Sequence, residues 1–151
     1  MAHSHFLPIF ICCMLIGLCV AFPPFRRYIP NAYRVPDPCF TRRIGRRTQL
    51  RYIQAVGHYR DSSKRNPFGR DFEMQRGNWT VLCTMDSDKD GMKNGYEMGD
   101  PDCNWKGGVP SFLRIPYSHP GIAETFNNLT RRYEVVPQLR MAICSRNFPM
   151  I

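Results

Sequence analysis

The sequence predicts a small disulfide-rich domain, mainly β or irregular in structure, and three observations support this fold class. The 151-residue chain opens with an apolar run and has little strong periodicity after it. Only four cysteines follow that run, an even number that suits two disulfide bonds. Four acidic side chains are concentrated in residues 86–97, which indicates a loop built around a cation. Covalent bonds and a bound ion must then supply part of the stability that a larger core would give.

The N-terminal segment has the features of a cleaved secretion signal. Residues 6–21 are almost all apolar, and the first basic side chain is Arg26. A membrane-spanning helix needs roughly 20 apolar residues, so this run is too short to cross a bilayer comfortably. It ends in small residues, as at a signal-peptidase site. We therefore expect a signal peptide over residues 1–21 and one secreted domain over 22–151, rather than a membrane anchor or a buried helix.

The first half of the domain predicts few regular elements. Prolines at five positions in residues 22–40 predict an extended segment, because proline fixes φ and lacks a backbone donor. Apolar residues then recur at helical spacing near 47–56, which predicts a short amphipathic helix that Gly57 ends. The sequence Asn-Pro-Phe-Gly at 66–69 is typical of a turn.

The second half predicts short strands around the acidic segment. The apolar residues 79–85 suit either one helical turn or a short strand. Gly99 and Pro101 exclude a long helix after the acidic segment. Alternation at 133–136 and an apolar patch at 139–143 predict two further strands.

The segment Asp86–Glu97 matches every fixed position of the twelve-residue calcium-loop template. Calcium takes six to eight oxygen ligands at about 2.3–2.6 Å, and carboxylates at alternate positions of a tight turn can surround it. Gly91 permits the sharp bend that this wrapping requires. The predicted ligands are Asp86, Asp88, Asp90, the backbone carbonyl of Met92, Asn94 directly or through water, and Glu97 with two oxygens.

The alternative to a Ca²⁺ site is a solvated acidic turn. Four carboxylates so close together would repel one another unless a cation neutralised them, so we favour calcium. The missing exit helix removes the element that a calcium sensor moves, which favours a structural site. Extracellular calcium modules bind with dissociation constants of roughly 10⁻⁴–10⁻³ M.

Four cysteines allow three disulfide connectivities, and their count alone does not choose among them. Cys83 precedes the acidic segment by three residues, and Cys103 follows it by six. A wrapped loop brings its ends together, which favours a bond between these two cysteines. Cys39 would then pair with Cys144, although other pairings stay open.

The charge of the chain bounds its partners. There are 21 lysines and arginines against 12 acids, a net charge of +9, and every basic residue lies after the apolar run. Such a surface suits anionic glycans or acidic peptides, and a solvated basic face explains it equally well. An exported protein is not expected to meet nucleic acid, and no second apolar stretch predicts membrane insertion. Sequons at Asn78 and Asn128 fit the same compartment as glycosylation sites.

Several segments together resemble the temptin family, secreted proteins of a molluscan water-borne attractant complex, and the related temptin cysteine-pair domain. The longest block runs from Trp79 through the acidic segment to Trp105, and the resemblance covers residues 29–121. The other segments that carry it are Ile29-Pro30-Asn31, Val35-Pro36-Asp37-Pro38-Cys39, Val56-Gly57-His58, Asn66-Pro67-Phe68-Gly69-Arg70-Asp71-Phe72 and, less closely, Ser118-His119-Pro120-Gly121.

The resemblance implies a disulfide matching Cys83 and Cys103, and a second one from the N-terminal cysteine to a cysteine near the C-terminus. It also implies a pheromone or attractant role through binding of other secreted proteins or peptides, and a fold compared to small growth-factor-like modules. The chain departs from the family at an arginine-rich insertion near 41–54 and at the tail 122–151.

Four other interpretations of the metal-binding or functional residues are open. His58 and His119 could hold a second metal, but no third ligand is evident. Dibasic pairs could be cleaved as in a peptide precursor, and calcium with basic side chains could serve a matrix or shell protein that binds anionic polymers. An enzyme accessory module is a further alternative. No nucleophile motif is present, so we expect a protein that is not an enzyme.

Overall fold

The computed structural model describes residues 25–40, 42–44, 47–60, 62–108 and 112–145. The predicted signal peptide, 1–21, lies outside the described residues. In chain order the elements are a 3-10 helix (Phe25–Tyr28), β1 (Arg42–Ile44), β2 (Arg47–Gln49), α1 (Pro67–Met74), α2 (Trp79–Leu82), α3 (Asn94–Glu97), β3 (Glu124–Asn127), β4 (Arg132–Val135) and α4 (Pro137–Cys144). Across these ranges the chain forms no helix with the length and apolar character needed to cross a membrane.

The prediction of a small domain with two disulfide bonds is confirmed. The described part of the domain contains more helix than the predicted mainly β or irregular class. Its four strands form two separate two-stranded antiparallel ribbons, β1–β2 and β3–β4, and the helices contain more residues than the strands do. The proline-rich N-terminal segment is also not wholly extended, because the 3-10 helix fits one turn between Pro24 and Pro30.

The helix predicted near 47–56 is wrong. Its first residues form β2, in which Arg47 pairs with Ile44 of β1. The chain after β2 stays extended because it pairs with the N-terminal segment, where Ile53 N donates to Val35 O at 3.0 Å. The apolar spacing was misleading, since Leu50 is 46% exposed and faces no core.

The turn predicted at 66–69 is the beginning of α1. The side chain of Asn66 accepts a hydrogen bond from Gly69 N at 2.9 Å and so caps the helix, and Pro67 occupies its first turn. Asn66 also donates to Val56 O at 2.8 Å, which fixes α1 against the preceding loop. Phe68 is fully buried as a result.

The core lies between the N-terminal segment, α1, α2 and the acidic loop. Trp79 begins α2 and donates its indole N–H to Asp100 Oδ2 at 2.7 Å, and its ring meets that of Trp105 edge to face. The buried apolar cluster consists of Ile29, Ala32, Val35, Val56, Phe68, Trp79, Leu82, Cys83, Met98 and Trp105. The acidic loop is therefore connected at both ends to residues of the buried core.

The tail forms a hairpin and a helix. Residues 133–136 contribute to β4 as predicted, and β4 pairs with β3, which the sequence did not predict. The strand predicted at 139–143 is wrong, because this segment lies in α4, where Pro137 occupies the first turn. A disulfide bond from Cys144 at the end of α4 to Cys39 ties the tail to the N-terminal segment.

Candidate metal centre

The acidic loop is fastened at both ends by the core. A disulfide bond joins Cys83, just before the loop, to Cys103, just after it. Gly95 N donates to Cys83 O at 3.0 Å, and a side chain at Gly95 would collide with the sulfur of Cys83. Asn94 is fully buried and donates to Leu82 O at 2.8 Å. The two disulfides are the pairs that the family resemblance implies.

The three aspartates of the loop converge. One carboxylate oxygen from each of Asp86, Asp88 and Asp90 lies within 4.8 Å of the other two. Asp86 accepts backbone hydrogen bonds from Lys89 N at 2.9 Å and Gly91 N at 3.0 Å, so the loop curls around its own carboxylate. Gly91 has a φ of +95°, which explains why glycine is required there.

Glu97 lies at the back of this cluster, outside the group of three. It is fully buried, and its Oε1 accepts a hydrogen bond from the Ser118 hydroxyl at 2.9 Å. Its other oxygen, Oε2, is buried and has no hydrogen-bond partner. Asp88 Oδ2 is likewise buried without a hydrogen-bond partner. A buried carboxylate oxygen without a donor is costly, so these two atoms mark a place that is electrostatically incomplete.

Glu124 is a fifth carboxylate at the site, and the sequence reasoning missed it. It begins β3, is 6% exposed, and its Oε2 accepts from His119 N at 2.7 Å. Its own N–H donates to Asp90 Oδ2 at 3.1 Å. No template position lies 27 residues beyond Glu97, so the loop motif could not have predicted it; its bonds to His119 and Asp90 place it beside the loop.

The carboxylates raise one another's pKa. Burial, and then the charge of Asp88, raises the pKa of Glu97 to about 10. Burial, and then the charge of Asp90, raises the pKa of Asp88 to about 7. Burial raises the pKa of Glu124 to about 8, with the charges of Asp88 and Asp90 adding to it. Either protons or a cation must therefore neutralise the site.

No basic side chain supplies that neutralisation within the described ranges. The ion pairs there involve Asp37, Glu73 and Glu134, all away from the loop. The atoms that could bind a metal at the site are carboxylate oxygens, and oxygen is the ligand that calcium prefers. The structure thus brings Asp86, Asp88 and Asp90 together with Glu97 beside them, and their ligand roles stay predictions.

Two other predicted ligands, Asn94 and Met92, make hydrogen bonds within the loop, and their ligand roles stay predictions. Asn94 Oδ1 accepts from Ser87 N at 3.3 Å, and its amide donates to Ser87 Oγ at 2.9 Å, so Asn94 holds the loop from inside. Met92 donates its backbone N–H to Asp90 Oδ1 at 2.9 Å, which places Met92 in the same turn.

The chain was compared with known proteins. A family model described as Temptin C-terminal matches residues 19–122, more than half of the chain. The chain belongs to the temptin family. Temptin from Aplysia californica is 41% identical over 114 residues, which cover 74% of this chain and 85% of Temptin. No solved structure gives a significant match. The temptin-family match includes the acidic loop and ends two residues before Glu124.

An aromatic patch of this temptin-family chain borders the acidic loop. Tyr96 of α3 stacks on Tyr117 with ring centroids 5.2 Å apart, and both are more than 40% exposed. Phe126 of β3, which is 41% exposed, meets Tyr133 of β4 edge to face. Partial burial, and then the charges of Tyr96 and Asp90, raises the pKa of Tyr133. We call these four residues the tyrosine face.

Both predicted glycosylation sites lie on the surface of the domain. Asn128 is exposed at the turn of the β3–β4 hairpin, and Asn78 is exposed while its side chain caps α2. Glycosylation of both stays a prediction. Within the described ranges the three loop aspartates are the one cluster of three or more metal-ligating side chains, and His58 and His119 take part in none. His119 is instead fully buried, and burial lowers its pKa to about 4.

Proposed function

We propose that this chain is a secreted, non-enzymatic member of the temptin family that acts in extracellular chemical signalling by binding other secreted proteins. The observation that carries the proposal is the family match over residues 19–122. The pheromone or attractant role comes from the family. The two disulfides support an extracellular location, because such bonds persist in oxidising compartments.

Calcium at the acidic loop is the second part of the proposal. Its support is the pair of buried, unpartnered oxygens on Asp88 and Glu97, together with the all-oxygen donor set. Asp86, Asp88, Asp90 and Glu97 would hold the ion, with the carbonyl of Met92. When bound, calcium supplies positive charge that replaces protons on the buried carboxylates. Its role is structural, because α3 ends after four residues and no long helix follows.

The tyrosine face is the surface that we propose for the protein partner. Exposed aromatic side chains contribute strongly at protein interfaces, since they bury a large area with few rotatable bonds. Here one pair is stacked and the other meets edge to face, and the Arg131 guanidinium lies 5.7 Å from the ring centroid of Phe126. A surface of aromatic rings and arginine suits a protein partner better than a simple anionic polymer.

Cross-linking of the native secreted protein tests the signalling proposal. Material purified in calcium is cross-linked and digested, and the linked peptides are identified by mass spectrometry. We expect links between a second secreted protein and residues flanking the tyrosine face. The identified partner is then tested for binding to a Tyr96→Ser/Tyr133→Ser variant, with Tyr52→Ser, which is 43% exposed elsewhere, as the control.

The same preparation separates the alternatives. Recovery of only an unlinked monomer would contradict the proposal that the chain works in a protein complex. Retention on heparin that survives high salt would favour the matrix interpretation, because simple screening weakens purely electrostatic contacts. Fragments ending at the dibasic pairs, in place of an intact chain from about residue 22, would favour the precursor.

A further inference from the structure

Two of the oxygens that the calcium-loop template expects are already engaged in this structure. Glu97 is expected to give both carboxylate oxygens, but its Oε1 accepts from the Ser118 hydroxyl. Asn94 is expected at the ninth position, but its Oδ1 accepts from Ser87 N. Calcium takes six to eight oxygens, so a carboxylate from outside the loop would help to complete its coordination.

The carboxylate of Glu124, which lies outside the group of three aspartates, is the candidate for this further ligand. Its side chain is almost fully buried, and the charges of Asp88 and Asp90 both act on it. The negative charge of Glu124 also raises the pKa of Glu97. The acidic loop, α3 and β3 therefore contribute carboxylates to one electrostatic site. Independently of this clustering, fully buried Glu97 carries an unpartnered oxygen, which indicates an absent positive ligand.

We infer that Glu124 is a further ligand of the calcium site, and that its ligation ties the β3–β4 hairpin to the acidic loop. This inference rests on the calcium site proposed above. The backbone is already positioned for it, because Glu124 N donates to Asp90 Oδ2 at 3.1 Å. Asp90 and Glu124 would then face one ion from two parts of the chain that are 34 residues apart.

The consequence is that calcium controls where the hairpin lies. The hairpin carries Phe126 and Tyr133 of the tyrosine face and the exposed sequon at Asn128. Tyr96 and Tyr117 lie on the loop side, where Tyr117 N donates to Glu97 O at 2.9 Å. A site closed by Glu124 therefore aligns the two halves of the proposed partner surface.

Calcium titration of a Glu124→Gln variant tests the inference. Glutamine keeps the shape of the side chain and an oxygen for His119 N, but removes the charge. The control is Glu134→Gln, a change in the same hairpin at a carboxylate that bonds Asn127 and Thr130. By isothermal titration of the intact, disulfide-bonded protein we expect Glu124→Gln to weaken calcium binding about tenfold or more, because affinity depends on ligand charge. We expect Glu134→Gln to stay within about twofold of the wild type, because that carboxylate lies outside the site.

Hydrogen exchange of the hairpin provides a second, independent measurement. Calcium should slow exchange of the amides in 124–127 and 132–135 of the wild type, and this protection should be lost in Glu124→Gln. If the wild type binds calcium but Glu124→Gln binds within twofold and the hairpin is unaffected, the inference is wrong and the loop site stands. If the wild type binds no calcium, the loop site and the inference both fail.

Discussion

Replacing Glu97 by glutamine should raise stability in the absence of calcium and reduce the stabilisation that calcium gives. Glutamine can still accept from the Ser118 hydroxyl, which lies 2.9 Å from Glu97 Oε1. In chelator at pH 7, the folded protein must bind a proton at Glu97 that the unfolded chain has lost, because burial raises its pKa to about 10. Glutamine removes that penalty, so the variant should be more stable by on the order of 1 kcal/mol.

With calcium the advantage of the variant shrinks, because calcium stabilises the wild type more. For a dissociation constant of about 10⁻⁴ M, about 10 mM calcium stabilises the folded wild type by about 2.7 kcal/mol. In a domain of this size that corresponds to a rise of roughly 10 °C in melting temperature. Loss of the buried ligand should weaken affinity about tenfold, which leaves about 1.4 kcal/mol of stabilisation.

Thermal melts followed by circular dichroism, in calcium and in chelator at pH 7, measure both effects. The control is Glu73→Gln, an exposed carboxylate paired with Arg65 at 3.1 Å, whose change should be small and equal in the two conditions. If calcium raises the melting temperature of Glu97→Gln as much as that of the wild type, the proposed site is refuted. A variant that is destabilised equally in chelator and in calcium would also refute it.

Three other predictions follow from the same structure. In chelator, the melting temperature should fall from pH 5 to pH 8, because the three buried carboxylates have folded pKa values raised to about 7, 8 and 10 and retain protons that the unfolded chain releases over this range. The gain from calcium should be larger at pH 8, and equal gains at both pH values would count against the assignment. Gly95→Ala should prevent folding or destabilise by more than about 3 kcal/mol, because its new methyl would meet the Cys83 sulfur, whereas Gly107→Ala meets no atom within 4 Å and should cost about 1 kcal/mol. Replacing Cys39 and Cys144 together by alanine should cost up to about 4–5 kcal/mol, because that bond closes a loop of 105 residues; a loss below about 1 kcal/mol in denaturant unfolding would contradict the reasoning.

Local sequence features predicted the centre of the molecule well. The spacing of the loop aspartates is a short-range property, and the structure brings all three together within 4.8 Å. Gly99 and Pro101 act locally too, and α3 ends at Glu97 as they require. Pairing of Cys83 with Cys103 was favoured by the same short-range reasoning, because only a wrapped loop separates them.

The failures came from long-range contacts. The helix expected near 47–56 was replaced by backbone pairing with residues 35–37, a partner that no local period reveals. The patch at 139–143 suits a strand by composition, but Pro137 begins a helix there. Glu124 reaches the site only because the β3–β4 hairpin folds back on the loop, so its carboxylate lies outside any sequence template.

The loop is built so that calcium would organise the tail rather than move the core. Its N-terminal end is fixed by the disulfide at Cys83, and its C-terminal end by Asp100 N, which donates to Gly95 O at 2.7 Å. A sensor must rotate the helix that leaves its loop, but α3 has four residues and both of its ends are held. Within the described ranges, the hydrogen bond that joins the β3–β4 hairpin to the loop runs from Glu124 N to the Asp90 carboxylate. Removal of calcium should therefore loosen this hairpin first, since mutual repulsion of the carboxylates acts directly on that contact.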